Sequence, residues 1–397
     1  MLYQLARRFL SEAAPRPLWK FLWNGAVGGF LSVERFKRRL RRGVVFPPFL
    51  FLSITSRCNL RCQGCWVDVD AAPAELDLAT LDRVLRDAKR MGNRFFGLLG
   101  GEPFLHPGLL PLIERHPDCY FQVFTNGHPI TEAAARAMRR LGNVSPLVSI
   151  EGNAAASDVR RGGSGVLEKS LRGLARCVEA GLITGVASSI CRSNFDDLVG
   201  DAWLRELIRR GVLYAWFYTY RPVGPRPAPE LALSDDQLLA LRRFLVGART
   251  RLPIAIIDAY WDADGNALCP MAVGISHHLG PTGGVEPCPV IQLAAEFVPG
   301  DGDLGGAVAR SAFLEDLRRT AAQAGRGCIL LERPDLVRVV AGRRGARDTT
   351  RRGTVLAELA GMVPRGSQDL GARRIPEASA FYRFAKRHWF FGFGAYG

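Results

Sequence analysis

The chain has 397 residues, 48% hydrophobic and 23% charged, the make-up of a globular protein with a sizeable core and not of a fibrous or disordered one. Its net charge of +15 favours anionic partners, whether nucleic acid, anionic lipid or an acidic substrate, although arginine gathered on solvated surfaces gives the same balance. No uninterrupted apolar run reaches the ~20 residues that span a bilayer.

The nine cysteines are odd in number and one trio is tightly clustered, which argues against a disulfide framework. The N-terminus lacks an apolar core followed by a small-residue cleavage site. A reducing cytoplasm is therefore the expected compartment.

Residues 1–48 carry ten Lys/Arg against two acids. Leu2, Leu5, Phe9 and Leu10 can share one helix face. Phe30, Leu31, Val33, Phe36 and Leu40 alternate with a run of Arg and Lys, and Pro17–Trp23 mixes aromatic and basic residues. Basic amphipathic helices with Trp and Phe on the apolar side lie well in a membrane interface. The competing reading is a helical extension packed over the rest of the fold with its basic residues in water.

From Phe49 the pattern alternates strand and helix. Strands are expected at 49–55, 95–99, 120–124, 147–150, 184–190 and 214–220. Helices are expected at 78–91, capped by Asp77, then 109–115, 132–141 capped by Thr131, 166–180 and 196–210. Near-continuous apolar strands separated by helices indicate a parallel sheet covered by helices. A doubly wound open sheet and a partial barrel fit that alternation equally well. Beyond Tyr220 a proline-rich connection leads to a helix capped by Ser234 (235–249), short strands and turns over 254–289, and a helix near 312–322. The C-terminal segment mixes Phe381, Tyr382, Phe384, Trp389, Phe390, Phe391 and Phe393 with basic residues. The expected division is 1–48, a basic extension; 49–225, the core; 226–342, a cysteine-containing extension; and 343–397, a basic and aromatic tail.

The chemistry centres on Cys58, Cys62 and Cys65, spaced C-x3-C-x2-C in one loop after the first strand. Three thiolates make a soft metal site. A structural zinc site wants four ligands, and a 4Fe–4S cluster also takes four cysteines, so three leave one iron open. The loop, with four further motifs in order, resembles the signature of the radical S-adenosylmethionine (radical SAM) enzymes. The resemblance covers about Phe49 to Tyr220 and continues more weakly to about Pro334. It selects the partial (β/α)6 TIM-type barrel, in which functional residues gather at the C-terminal strand ends. It implies that the open iron chelates S-adenosylmethionine and that reduction releases a 5′-deoxyadenosyl radical. The family usually has an aromatic residue just before the third cysteine; this chain has Gly64 there, and Trp66 follows.

The resemblance assigns further residues to the cofactor. Gly100-Gly101-Glu102-Pro103 follows strand two and would meet the amino group, with glycines allowing close approach and Glu102 adding an acceptor. Asn126 ends strand three. Ser149 and Glu151 flank Ile150 and so share a face; the family more often has Asp at the latter position. Arg161 would pair with the cofactor carboxylate, with Arg160 as the alternative, and Asn194 lies just past strand five. Each of Asn126, Arg161 and Asn194 also suits a turn or surface role.

Cys269, Cys288 and Cys328 resemble the auxiliary-cluster extensions (SPASM and twitch types) of the same family, with His277 or His278 near enough to assist. The full SPASM set has seven cysteines, and buried free thiols are the alternative. The expected function is hydrogen abstraction from a lipid, an isoprenoid or a peptide, with a flavodoxin- or ferredoxin-type electron donor and peripheral contact with an anionic membrane at its inner face. No nucleic-acid module is evident. The rival is a membrane- or nucleic-acid-binding protein whose clusters are structural.

Overall fold

The computed structural model describes residues 1–298 and 300–389; Phe390, Phe391 and Phe393 lie outside the described residues. One sheet of nine strands organises them. Its strands are β1 (Phe49–Thr55), β2 (Phe95–Gly100), β3 (Tyr120–Thr125), β4 (Val144–Ser149), β5 (Gly185–Ile190), β6 (Tyr214–Thr219), β7 (Ala255–Ile257), β8 (Ser276–Leu279) and β9 (Val285–Glu286). Their order is β7-β6-β5-β4-β3-β2-β1-β8-β9. Every pairing is parallel except β8 with β9. Six strand–helix units thus form a partial barrel that does not close. β7 and β8, both from the cysteine-containing extension, widen its two edges.

Local chemistry explains most element ends. Asp77 accepts from Thr80 N at 2.8 Å and starts the helix Leu78–Arg90. Thr131 accepts from Ala134 N at 3.1 Å and starts Glu132–Leu141. Ser234 and Gln237 form a reciprocal capping box before Asp235–Arg251, satisfying two donors that a helix end leaves free.

Three expectations shift. Strand four begins at Val144, not Leu147, and ends at Ser149, so Glu151 lies just beyond it. The helix expected over 196–210 is broken: Phe195–Leu198 and Asp201–Arg209 are separated by Val199 and an extended Gly200. A helix not anticipated, Ala154–Arg161, is capped by Asn153.

The N-terminal segment is helical: Leu2–Glu12, then Pro15–Lys20, a π-helical stretch Phe21–Val27, and Gly28–Leu40. These helices pack across the N-terminal ends of the strands. Asn24 donates to Pro117 O at 2.9 Å and Cys119 O at 3.2 Å, just before β3. Ala14 N donates to Gly181 O at 2.8 Å, ahead of β5. Arg8 donates to Val212 O at 3.0 Å and Pro253 O at 2.8 Å, before β6 and β7. The apolar core is continuous across barrel and extension, from Leu52, Leu98 and Val123 to Leu293, Leu317 and Val337.

The C-terminal helix Ala380–His388 is tied down by a buried ion network. Arg249 bonds Glu377 at 2.6 Å and also contacts Asp258, and Lys386 reaches Asp258 at 3.2 Å. Each of these side chains has 0% exposure. Buried charges on this scale are tolerated only when paired.

Candidate active site

The pairing of β1 with β2 shifts register between Ser53 and Thr55. That irregularity releases the chain into the cysteine loop. The loop is held by the tract after β2: Gly101 N donates to Thr55 O at 2.8 Å and Glu102 N to Arg57 O at 2.7 Å. A Cβ on Gly101 would overlap the Arg57 carbonyl. The bare backbone of this tract is therefore needed first for its approach to the cysteine loop. On the other side, Gln63 N donates to Arg160 O at 2.8 Å and Arg160 Nη1 donates to Gln63 O at 2.9 Å.

Cys58, Cys62 and Cys65 line a cavity of about 390 Å³ at the C-terminal ends of the strands. Gly100, Gly101, Asn126, Ser149, Glu151 and Arg161 line it too. Burial pushes the Cys58 thiol up to about 11, and the neighbouring Cys62 adds to the rise. Cys65 is raised in the same way, by burial first and then by Cys62. Cys58 and Cys65, kept from ionising beside Cys62, suit a cationic centre that relieves both penalties. Among the described residues no three His, Cys, Asp or Glu converge tightly enough to hold a single ion. Three thiols also fall one short of the four ligands a structural zinc site takes.

Arg161 lies between the loop and the wall of the barrel. Its Nη2 donates to Glu151 Oε1 at 2.6 Å and its Nη1 to Cys62 Sγ at 3.7 Å. Burial works against this cation, but Glu151 and Cys62 hold its pKa above the ordinary arginine value. Glu151 also accepts from Ser189 N at 3.0 Å. Arg160 lines the cavity as well, with its guanidinium 4.9 Å from the Tyr220 ring centroid.

Three sequence-expected residues stand behind the wall instead of on it. Glu102 is fully buried and accepts from Phe104 N, Thr125 Oγ1 and Asn126 N at 3.1, 2.7 and 2.7 Å. Burial drives its carboxyl up to about 7 against those donors. Its visible work is to fix the end of β3, where Asn126 Nδ2 then donates to Asn59 Oδ1 at 2.7 Å. Pro103 is buried as the first residue of a short 3-10 turn. Asn194, 1% exposed, accepts from Cys191 N at 2.8 Å and donates to Ser189 O at 3.0 Å, stabilising the turn after β5.

Cys269, Cys288 and Cys328 line the same cavity as the first trio. Burial pushes Cys269 up to about 11, with Cys328 adding to it. Cys288 rises to about 12 through burial and then through Cys269 and Cys328. Arg221 Nη1 donates to Tyr260 Oη at 3.1 Å. Although burial opposes its charge, Tyr260 and Cys328 hold the Arg221 pKa above its ordinary value. His277 and His278 are on β8 and do not line the cavity. His278 is held between Ser53 Oγ at 2.8 Å and Glu286 Oε2 at 2.5 Å.

The cavity wall also holds aromatic residues that were not assigned to the site from sequence: Phe51, Phe124, Trp216, Tyr218, Tyr220 and Tyr260. Trp216 and Tyr218 stack at 5.3 Å between ring centroids. A signal was present, because Trp216 and Tyr218 of β6 and Tyr220 just past its end recur at every second residue and so face one side.

The model of the radical SAM superfamily matches residues 52–197. The GTP 3′,8-cyclase of Synechococcus sp. (strain CC9605) is 34% identical over 178 residues, 41% of this chain and 49% of that protein. The PqqA peptide cyclase of Methylorubrum extorquens (strain PA1) is 28% identical over 271 residues, 64% of this chain and 68% of that one. The chain spans about half the length of the first of these relatives. Among solved structures, Streptococcus suis SuiB bound to S-adenosylmethionine superposes with a TM-score of 0.59 at 15% identity, covering 72% of this chain and 71% of SuiB. Native anSMEcpe with bound AdoMet gives 0.54 at 15% identity, covering 68% and 82%. These two show the fold alone, and their coverage is wider than the stretch matched by the family model. The cysteine loop, the glycine tract and strands β2 to β5 all lie within the matched stretch, so the chain carries a radical SAM domain over residues 52–197.

Proposed function

We propose that Cys58, Cys62 and Cys65 hold a 4Fe–4S cluster whose open iron takes S-adenosylmethionine, and that Cys269, Cys288 and Cys328 hold a second cluster across the same cavity. When bound, the first cluster supplies the electron that cleaves the sulfonium to methionine and a 5′-deoxyadenosyl radical, which abstracts hydrogen from substrate. The protein's part is to orient and to exclude water. Gly100 and Gly101 present open backbone to the cofactor's amino group. Arg161, fixed by Glu151, directs a cation at its carboxylate. Asn126 and Ser149 offer polar groups from the ends of β3 and β4. The aromatic wall keeps competing hydrogen donors out. Glu102, Pro103 and Asn194 act through the backbone they position.

The observation that carries this reading is the convergence of both cysteine trios and the Glu151–Arg161 pair on one cavity. We take the substrate to be a peptide, supported by the match to the PqqA peptide cyclase over 64% of the chain. The aromatic lining supports a second reading, a lipid or isoprenoid. A flavodoxin- or ferredoxin-type protein is the proposed electron donor, and peripheral attachment to the inner face of the membrane belongs to the same proposal. Among the described residues no helix is long and apolar enough to cross a membrane. The family match disfavours a purely structural role for the cysteines.

Anaerobic reconstitution with iron counting tests the reading. Wild type should hold about eight irons, and the variant with Cys58, Cys62 and Cys65 all changed to Ala about four, one 4Fe–4S cluster per trio. About four in wild type and none in the variant would leave the second trio as ordinary thiols.

A further inference from the structure

The helices that close the N-terminal ends of the strands have two faces. The inner face is used by the fold: Asn24 and Gly25 are buried, and Phe21 meets Tyr120 edge-on at 5.6 Å. The outer face carries large apolar side chains in water. Trp19 and Trp23 are 64% and 60% exposed and stack on each other at 6.2 Å with their planes 2° apart. Leu22 and Phe30 continue the stripe at 46% and 38% exposure, at helical spacing. The C-terminal helix extends it: Phe30 and Phe384 both lie against the His388 ring, at 6.4 and 4.8 Å, and Phe384 is 57% exposed. Two segments more than three hundred residues apart in sequence thus build one aromatic surface.

Its border is basic. On the segments that carry the stripe, and in the turn after Leu40, Arg35, Arg38, Arg41, Arg42, Arg383 and Arg387 are exposed, and none takes part in an ion pair among the described residues. Glu34, on the same helix as Phe30, is turned toward Lys37 at 3.9 Å and His388 at 3.4 Å. Contiguous exposed apolar surface marks an interaction site. Indole rings on a helix that lies flat, rimmed by arginine, suit the boundary between headgroups and acyl chains. A protein partner would need matching acids around an aromatic socket. An anionic bilayer supplies both elements without specific shape.

We propose that this surface docks the protein on an anionic lipid bilayer, with the Trp19–Trp23 pair entering the interface and the arginines meeting the headgroups. The structure adds an orientation. The docking surface is at the N-terminal ends of the strands and the cavity is at their C-terminal ends, so the cavity lies at the end of the barrel away from the membrane. Substrate then arrives from the aqueous side, which deepens the peptide reading above. The docking itself does not depend on radical chemistry.

The test is flotation of the full-length protein with phosphatidylglycerol–phosphatidylcholine vesicles, against vesicles of phosphatidylcholine alone, at low and high salt. The protein should float with the anionic vesicles only, with a blue shift in tryptophan emission. Salt should weaken binding without abolishing it, because ring burial is not screened. W19A/W23A should lower the partition at least tenfold, and R38E/R42E should do so mainly at low salt. Iron content after reconstitution confirms that each variant folds. Failure of wild type to float at low salt overturns the proposal. So does a dimer that W19A/W23A converts to monomer, which would make the stripe a contact between copies. Binding to RNA with a steep log–log salt dependence and no vesicle binding would also overturn it.

Discussion

Tyr220 occupies the space that a side chain on Gly64 would need. A Cβ built on Gly64 would lie 2.6 Å from Tyr220 Cζ and closer still to the hydroxyl oxygen, and Gly64 has a positive φ of 65°. The end of β6 therefore supplies an aromatic ring at the position where the cysteine loop itself lacks one. The hydroxyl is fixed by Ala228 N, which donates to it at 3.1 Å.

Gly64→Ala should therefore distort the loop and lower the iron retained after reconstitution. The left-handed backbone alone costs ~1–2 kcal/mol for a residue with a Cβ. Tyr220→Ala should cost about 3–5 kcal/mol as a large aromatic deletion. The double variant should be less damaged than the sum of the singles, because the clash is shared. Strict additivity in denaturant melts would show that the two residues do not press on each other.

Arg161→Met should be more harmful than an exposed arginine change. It strands Glu151, whose side chain is 6% exposed, and breaking a buried pair costs about 3–5 kcal/mol. Glu151→Gln combined with Arg161→Met should recover part of the loss. S-adenosylmethionine binding by the reconstituted Arg161→Lys protein should weaken roughly tenfold, the loss of one charged hydrogen bond. Unchanged affinity would remove Arg161 from the cofactor site.

The sequence disclosed what is local and missed what is distant. Strand β1 and the caps Asp77, Thr131 and Ser234 depend on residues within a few positions, and all were legible. The start of β4 was not, because Ser145 and Pro146 read poorly as strand although Pro146 pairs with Val123 in the sheet. The break before Asp201 depends on Gly200 adopting an extended backbone, which apolar periodicity does not reveal. Within the site, the cysteine spacing was a strong signal. The retreat of Glu102 and Asn194 behind the wall was not, because a motif names residues but not which of their atoms already have partners. The Tyr220–Gly64 contact joins two elements that meet only after the barrel has curved.

His277 gives a pH dependence with a definite sign. Burial lowers its pKa from 6.5 to about 4, despite an opposing hydrogen bond that the imidazole donates to the Pro287 carbonyl. The unfolded chain thus binds a proton through a window in which the folded chain does not. The contribution is fully present above pH 6.5 and is lost as pH falls toward 4. Its size is on the order of 3 kcal/mol at most. Thermal melts should show wild type losing stability between pH 6.5 and 4.5 more steeply than His277→Leu. Parallel slopes would contradict the burial argument.

Asp258→Asn should loosen the C-terminal helix. It removes the anion that faces Arg249 and Lys386 and leaves buried cations short of charge, at about 3–5 kcal/mol. Limited proteolysis should then cut near Ala380–His388 well before the barrel. Cleavage at wild-type rates would show that the network does not anchor this helix.

The most direct measurement of the central claim is 5′-deoxyadenosine formation by the reconstituted, reduced protein with S-adenosylmethionine. Wild type should form it. The variant with Cys58, Cys62 and Cys65 changed to Ala should form none, while the variant with Cys269, Cys288 and Cys328 changed to Ala should still cleave the cofactor. Cleavage by the first variant, or none by wild type holding its full iron complement, would contradict the account.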